Sequence, residues 1–191
     1  MKILITGADG YIGWPLFVSL IKRYPNYQII GIDNLFRRKW VNEVKAKSAI
    51  KIETYSNKTK FVKSINKKND FIKFDLTNFK KVDSLIKKKK FDIIYNLAAQ
   101  PSAPYTLLSP HHTNFTQNNN NQILRNISWS LYLNKFKNTK LVHTTTTGTY
   151  GDPNFKIPEG FLSINNKKYL FGHMAGSWYH MSKCHDNSNM Y

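Results

Sequence analysis

Tyr179 and Lys183, in the run Tyr179-His-Met-Ser-Lys183, stand four residues apart. On a helix that spacing puts both side chains on one face. An ammonium beside a phenol favours the phenolate, so Lys183 is expected to lower the Tyr179 pKa from ~10 toward working pH. A tyrosine tuned in this way can take a proton from a hydroxyl while a hydride leaves the same carbon. The bland alternative is a solvated helix face that carries the two residues by chance. The hydride needs an acceptor, and the first thirteen residues offer a place for one. Gly7, Gly10 and Gly13 follow the aliphatic run Lys2 to Thr6 at GxxGxxG spacing, with Tyr11 and Ile12 between the last two glycines. Behind them comes the apolar helix pattern of Leu16, Phe17, Leu20 and Ile21. A strand, a glycine turn and a helix in that order aim backbone N–H groups and the positive end of a helix at a pyrophosphate. Taken alone, such a stretch can also be no more than a turn. Gln28 to Ile32 reads as a second strand and ends at Asp33, twenty residues after Gly13. That is where a carboxylate accepts from the hydroxyls of an adenosine ribose. Asp33 favours NAD, because it would repel a 2′-phosphate; Arg37 and Arg38 speak for NADP, because arginines after the second strand can neutralise that phosphate.

These residues need a scaffold, and the chain supplies alternating strands and helices, the pattern of a parallel sheet covered on both faces. A basic loop is expected over residues 34–48 and a helix near 59–66. A third strand over 71–74 ends at Asp75, and Thr77 can cap a helix through Val82, Leu85 and Ile86. A fourth strand over 91–97 runs into Ala98-Ala99-Gln100, followed by an irregular loop over 101–110. A long helix is expected from about 113 to 136 and a fifth, hydroxyl-rich strand over 141–145. Loop is expected over 148–166 and a last helix over about 175–191. The fold class is α/β, a Rossmann-type doubly wound sheet, with residues 1–191 as one NAD-binding domain.

Composition narrows the partners. The formal net charge is +18, which ordinarily suggests nucleic acid or an anionic surface. Here the excess is scattered lysine, beside 21 asparagines and seven alanines, which fits a coding bias better than a binding face. Lys87 to Lys90 reads as a solvated connection, and no nucleic-acid partner is expected. One cysteine, Cys184, excludes an internal disulfide and suits a reducing compartment, where a structural thiol is expected rather than a nucleophile. No run reaches membrane-spanning length, and with a strand starting at Lys2 no signal peptide is expected. A cytoplasmic protein without a metal follows as the expectation.

The same residues resemble a known family. GADGYIG at 7–13, Asp33, Asn96-Leu-Ala-Ala99, the threonines at 144–147 and YxxxK are together similar to the extended short-chain dehydrogenase/reductases that act on nucleotide sugars. The likeness narrows to the UDP-sulfoquinovose synthase family. It is carried by Gly10 to Trp14, Asp33 to Arg38, Ser102-Ala-Pro-Tyr105, Thr116-Gln117, Gly148 to Asn154, Pro158-Glu-Gly160 and Tyr179 to Asp186.

That resemblance implies that Gly7, Gly10 and Gly13 cradle the pyrophosphate of NAD, and that Asp33 and Asn34 hold the ribose. Arg37 and Arg38 fall in the family's basic segment, or are a solvated pair. Asp75 and Leu76 would lie by the adenine, Ala98 and Gln100 toward the nicotinamide side, and Asn119 would support the site from the long helix. Thr146 would meet the sugar oxygen, with Thr145 or Thr147 open if the register slips by one. Lys183 would tune Tyr179 and bind the nicotinamide ribose. The implied substrates are UDP-glucose and sulfite. Oxidation at C4 would acidify C5, water would leave C6, sulfite would add, and the hydride would return. Two departures bear on the sulfite step. Pro101 stands where plant and cyanobacterial members have an arginine, and Thr149 where they have a glutamate. His180 would be a substitute acid or base, or simply a polar helix residue. Another nucleotide-sugar 4-epimerase or 4,6-dehydratase, or a non-catalytic NAD-binding fragment, are the alternatives. The chain stops eight residues after Lys183, so the C-terminal substrate lobe is expected to be absent. The chain alone would then bind NAD but fail to turn over UDP-glucose. The complete protein is expected to be a homodimer.

Overall fold

The structure is a computed structural model describing residues 1–154, 156, 161–170 and 173–190, with the Leu170 side chain undescribed. It divides into two units. The first comprises Met1–Ala99 and Gln122–Thr144, the second Gln100–Asn121 and Thr145–Tyr191.

The first unit is built on strands β1 (Lys2–Thr6), β2 (Gln28–Asp33), β3 (Asp70–Lys73), β4 (Ile93–Asn96) and β5 (Lys140–His143). All pairs are parallel, and the order is β3-β2-β1-β4-β5. Period-two alternation divides β1 between two cores. Leu4 joins Ile30, Ile32, Val82, Ile86, Ile94, Ile123 and Ile127 on one side. Ile3 and Ile5 join Phe17, Ile21, Ile29, Val62 and Phe71 on the other. Helices α1 (Gly13–Arg23), α2 (Phe36–Glu43), α3 (Tyr55–Ile65) and α4 (Phe79–Lys89) follow the strands. Phe17 and Ile21 of α1 and Val62 of α3 fill the second core, while Val82 and Ile86 of α4 fill the first. Covering both faces is the doubly wound arrangement expected of a parallel sheet. Gly31 lets α1 sit close, since a Cβ there would lie 2.8 Å from the Phe17 ring.

The second unit contains the short helix α5 (Ala103–Thr106), the first half of the long helix α6 (Pro110–Leu133), a 3-10 turn (Thr147–Tyr150), the hairpin β6 (Phe161–Ile164) and β7 (Lys167–Leu170), and α7 (Trp178–Met190). The rest of α6 belongs to the first unit.

Four expectations are corrected. The basic loop over 34–48 contains α2, which follows Leu35 at φ of 65°, with Asn34 Oδ1 accepting from the Phe36 N–H at 3.0 Å. Asn78, not Thr77, caps α4, accepting from the Lys81 N–H at 3.1 Å, while the Thr77 hydroxyl donates to Asp75. The loop over 101–110 includes α5, capped by Ser102. The loop over 148–166 contains the 3-10 turn and the antiparallel hairpin, whose Asn165 and Asn166 have φ of 51° and 60°. Two consecutive left-handed residues make the primed turn that suits strand twist, and asparagine tolerates it. Pro158 to Gly160 and Tyr191 lie outside the described residues.

Candidate functional site

In the first unit the strand order reverses between β1 and β4, and the crevice at such a reversal is where open α/β sheets bind ligands. The glycine turn leaves the carboxyl end of β1 at this place. Gly7 has φ of +66° and lies so close to the end of β4 that a Cβ would stand 2.8 Å from the Leu97 carbonyl carbon. A Cβ on Gly13 would stand 2.0 Å from the Gly7 oxygen, so the turn closes only with glycine there. Gly10 differs, because a Cβ there would meet only that same oxygen at 3.1 Å, which leaves open space for an incoming group. Tyr11 and Ile12 turn their side chains out to solvent. No side chain caps α1 at Ile12, so its first N–H groups have no side-chain acceptor. These features fit a pyrophosphate.

Thr6 locks the floor of the crevice. Its hydroxyl donates to Asn96 Oδ1 at 2.7 Å and accepts from the Leu97 and Ala98 N–H groups, both at 3.1 Å. Asn96 Nδ2 and His143 Nδ1 lie 3.0 Å apart, which carries the network to β5.

Asp33 stands at the end of β2 as the spacing predicts. Its Oδ2 accepts from the Asp9 N–H at 2.9 Å and its Oδ1 from the Leu35 N–H at 2.7 Å. Each carboxylate oxygen keeps a lone pair for a ribose hydroxyl. Burial raises its pKa above the ordinary value, with the neighbouring Asp9 adding to the rise and the two N–H donors opposing it. Asn34 is engaged at the start of α2. Asp75 Oδ1 accepts from the Thr77 N–H and hydroxyl, and Leu76 is buried in the core.

Reasoning from spacing missed Asp9 and Lys58. Asp9 is held by Arg38, through Nε and Nη2 at 2.8 and 2.9 Å, and by Lys58 Nζ at 2.6 Å. Lys58 is buried, with its ammonium 4.2 Å from the Trp14 ring centroid. Burial pushes the Asp9 pKa up, but the two cations outweigh it and the carboxyl lies below its usual range. Arg38 is therefore not a solvated residue, whereas Arg37 is exposed. Both arginines line a cavity of about 560 Å³ together with Asp9, Trp14, Lys58 and Phe61.

The second unit brings Gln100, Asn119, Thr146, Tyr179, His180 and Lys183 together in one body. On α7, Lys183 is buried and its Nζ lies 3.2 Å from Asp186 Oδ2. The expected lowering of the Tyr179 pKa is not found. Burial raises the phenol, and Asp186 raises it further. Burial also pushes the Lys183 ammonium below its usual value, and Asp186 opposes that. The charge that acts on Tyr179 is thus a carboxylate one helical turn beyond the lysine.

Thr146 caps the 3-10 turn, accepting from the Gly148 N–H at 3.2 Å, while Thr145 and Thr147 are exposed. Thr149 is buried, with its hydroxyl donating to the Thr146 carbonyl at 2.9 Å. His180 packs on Gly148, where a Cβ would lie 2.3 Å from its Nε2; its buried Nδ1 has no hydrogen-bond partner among the described residues. The Cys184 thiol is pushed up by burial, against a nucleophilic role. From the long helix the bonds run through Asn120, next to the expected Asn119. Asn120 Oδ1 accepts from the Gln100 N–H at 2.8 Å, and its Nδ2 donates to the Gln100 carbonyl and to Ser182 Oγ. Gln100 Nε2 is buried without a hydrogen-bond partner among the described residues. No helix among the described residues is long and apolar enough to cross a membrane, and none of their acidic, histidine or cysteine side chains group to hold a metal.

Comparison with known proteins agrees with this geometry. The chain is 34% identical over 193 residues to UDP-sulfoquinovose synthase of Sulfolobus acidocaldarius, an alignment covering 97% of the chain and 48% of that protein. It is 29% identical over 195 residues to the chloroplastic UDP-sulfoquinovose synthase of Spinacia oleracea, covering 99% of the chain and 40% of that protein. The chain thus spans about half the length of the curated relatives it matches. Its fold superposes on a UDP-glucose-4-epimerase from Stenotrophomonas maltophila with bound NAD and formylated UDP-arabinopyranose. The TM-score is 0.69 at 15% identity, over 100% of this chain and 47% of that one. Residues 4–161 match the family model described as GDP-mannose 4,6 dehydratase, and the chain belongs to that family.

Proposed function

We propose that residues 1–191 are the NAD-binding domain of a nucleotide-sugar enzyme of the UDP-sulfoquinovose synthase type, converting UDP-glucose and sulfite through a 4-keto sugar. The observation that carries this reading is the glycine turn at the strand-order reversal with Asp33 at the end of the neighbouring strand. The N–H groups of Tyr11, Ile12 and Gly13 would hold the pyrophosphate, the Gly10 N–H being used within the turn on the Gly7 carbonyl at 3.0 Å, and Asp33 with Asn34 would hold the ribose. Bound there, NAD+ would accept the hydride from C4 of the sugar. Tyr179 would take the proton of the 4-hydroxyl, and Thr146 would hydrogen-bond the same oxygen. Lys183 would offset the charge on the phenolate and bind the nicotinamide ribose. Exposed Trp129, Tyr132 and Leu133 on α6 support a homodimer of the complete protein.

Thr149 favours a second reading for the later steps. Its hydroxyl is donated to a backbone carbonyl, so it is no acid–base group, and exposed Pro101 offers no cation for sulfite. A 4-epimerase needs neither, and a 4,6-dehydratase, which must still shed water across C5 and C6, needs no cation for sulfite. Mass spectrometry of the complete polypeptide with UDP-glucose, sulfite and NAD+ tests this. A sulfonated nucleotide sugar is expected; UDP-galactose or a 4-keto-6-deoxy sugar as sole product would select the second reading.

A further inference from the structure

Two cations beside the Asp33 carboxylate are held by an anion of the chain itself. Asp9 takes both donors of one Arg38 edge and the Lys58 ammonium, and its own N–H donates to Asp33 Oδ2 at 2.9 Å. The cluster therefore adjoins the carboxylate that would receive the ribose 2′-hydroxyl. An arginine fork and a lysine are the groups that recognise a phosphate. Beside them lies the cavity of about 560 Å³, ample for a phosphate and faced by the exposed Arg37. The architecture for a 2′-phosphate is present, yet its cations are spent on a neighbouring carboxylate.

We propose that Asp9 is a specificity-determining residue: by holding Arg38 and Lys58 it substitutes for a 2′-phosphate and makes the chain select NAD over NADP. This inference rests on the dinucleotide reading above. Asp33 alone would repel the phosphate only while Arg38 and Lys58 remain neutralised. Removing the Asp9 charge leaves two cations facing one carboxylate, and an anion entering the cavity would then find partners. Trp14 and Phe71, 5.6 Å apart, keep α1 against the sheet and the Lys58 ammonium over the indole in either case.

The test is a titration of the 191-residue chain with NAD+ and NADP+, read by calorimetry. The wild type should bind NAD+ more tightly. Asp9→Asn should tighten NADP+ by ~10-fold or more, the weight of a charge-assisted hydrogen bond, with NAD+ changed less than about threefold. The gain should vanish in Asp9→Asn/Arg38→Met. A merely structural role would weaken both dinucleotides together. An unchanged ratio in Asp9→Asn overturns this proposal and leaves the NAD reading standing, whereas a wild type that prefers NADP+ overturns this proposal and the assignment of NAD, leaving only a dinucleotide site. A wild type that binds neither dinucleotide overturns both. Should Asp9→Asn fail to fold, Arg38→Met decides. It should leave NADP+ affinity as it was, and a loss of about fivefold or more would show that Arg38 already reads the phosphate.

Discussion

The two units each bury a carboxylate–cation cluster, and the clusters resolve the cost of burial in opposite ways. In the first, Asp9 faces two cations at 2.6 and 2.8 Å, and its carboxyl is held below the ordinary range. In the second, Lys183 meets Asp186 at 3.2 Å with both side chains almost wholly buried, and the ammonium falls below its usual value. Burial disfavours every charged form, so the outcome depends on how much each group recovers from its neighbours. Asp9 recovers more than burial removes; Lys183 recovers less. The first cluster therefore keeps its charges and acts as a fixed element beside the glycine turn. In the second, burial disfavours both the Lys183 ammonium and the Tyr179 phenolate, and Asp186 favours the first and disfavours the second. Fixed charges suit recognition of a cofactor. Disfavoured ones suit a group that must exchange protons in a reaction cycle.

Removing the carboxylate from each cluster should break this comparison or sharpen it, and Asp186→Asn should have the larger effect. It leaves the Lys183 ammonium buried without that partner, a change worth about 3–5 kcal/mol. Asp9→Asn should cost less, because Arg38 is partly exposed and also donates to the Glu53 carbonyl at 2.9 Å, and the buried Lys58 ammonium keeps the Trp14 ring at 4.2 Å. Urea unfolding of both variants at neutral pH measures the difference. The loss in Asp186→Asn should shrink as the pH rises, because Lys183 can then shed its charge. Equal costs in the two variants would show that the clusters do not differ as described.

Tyr179→Phe follows in size and probes the second cluster alone. In the complete polypeptide it should lower turnover by ~10²-fold or more, the usual weight of a positioned acid–base group, while calorimetric NAD+ affinity stays within about twofold. Because Asp186 holds the phenol up, the alkaline requirement of the first oxidation should move to lower pH in Asp186→Asn. Turnover near normal in Tyr179→Phe would remove the tyrosine from the reaction.

What could be read from the chain follows from the range of each interaction. The glycine turn, Asp33 and the order of strands and helices are local or periodic, and each appears where the spacing puts it. The Asp9–Lys58 contact spans 49 positions and joins a turn to α3. Lys58 is one lysine among many, and nothing in its neighbourhood marks it as buried. The β6–β7 hairpin was legible in principle, because Asn165-Asn166 after the run Phe161-Leu-Ser-Ile164 is a primed-turn signal. Asp186 was legible too, three residues beyond Lys183 and so on the same helix face. Attention to the Tyr179–Lys183 spacing obscured it, and with it the sign of the Tyr179 shift. Asn120, beside the expected Asn119, makes the bonds to Gln100 and Ser182, and in a run of asparagines residue type alone cannot say which side chain turns inward.

The smallest expected effect lies within the first unit, where neighbouring carboxylates should answer acid in opposite directions. Asp9 is lowered from an ordinary value near 3.8, so the folded chain holds its proton less readily than the unfolded one. Its contribution to stability is fully present above that ordinary value and is lost as the pH falls through the lower, folded one. Asp33 is raised, so the folded chain binds its proton first. Its charge therefore costs stability above the folded value, and that cost is relieved as the pH falls through it. Stability measured from pH 6 down to pH 3 should fall more steeply in Asp33→Asn than in the wild type, because the relief is gone. In Asp9→Asn the decline below about pH 4 should be shallower, because no charge remains there to be neutralised. The slopes are the readout, since both substitutions also change the starting stability. Parallel slopes in the two variants would mean that the 2.9 Å hydrogen bond from the Asp9 N–H to Asp33 does not join groups of opposite protonation linkage.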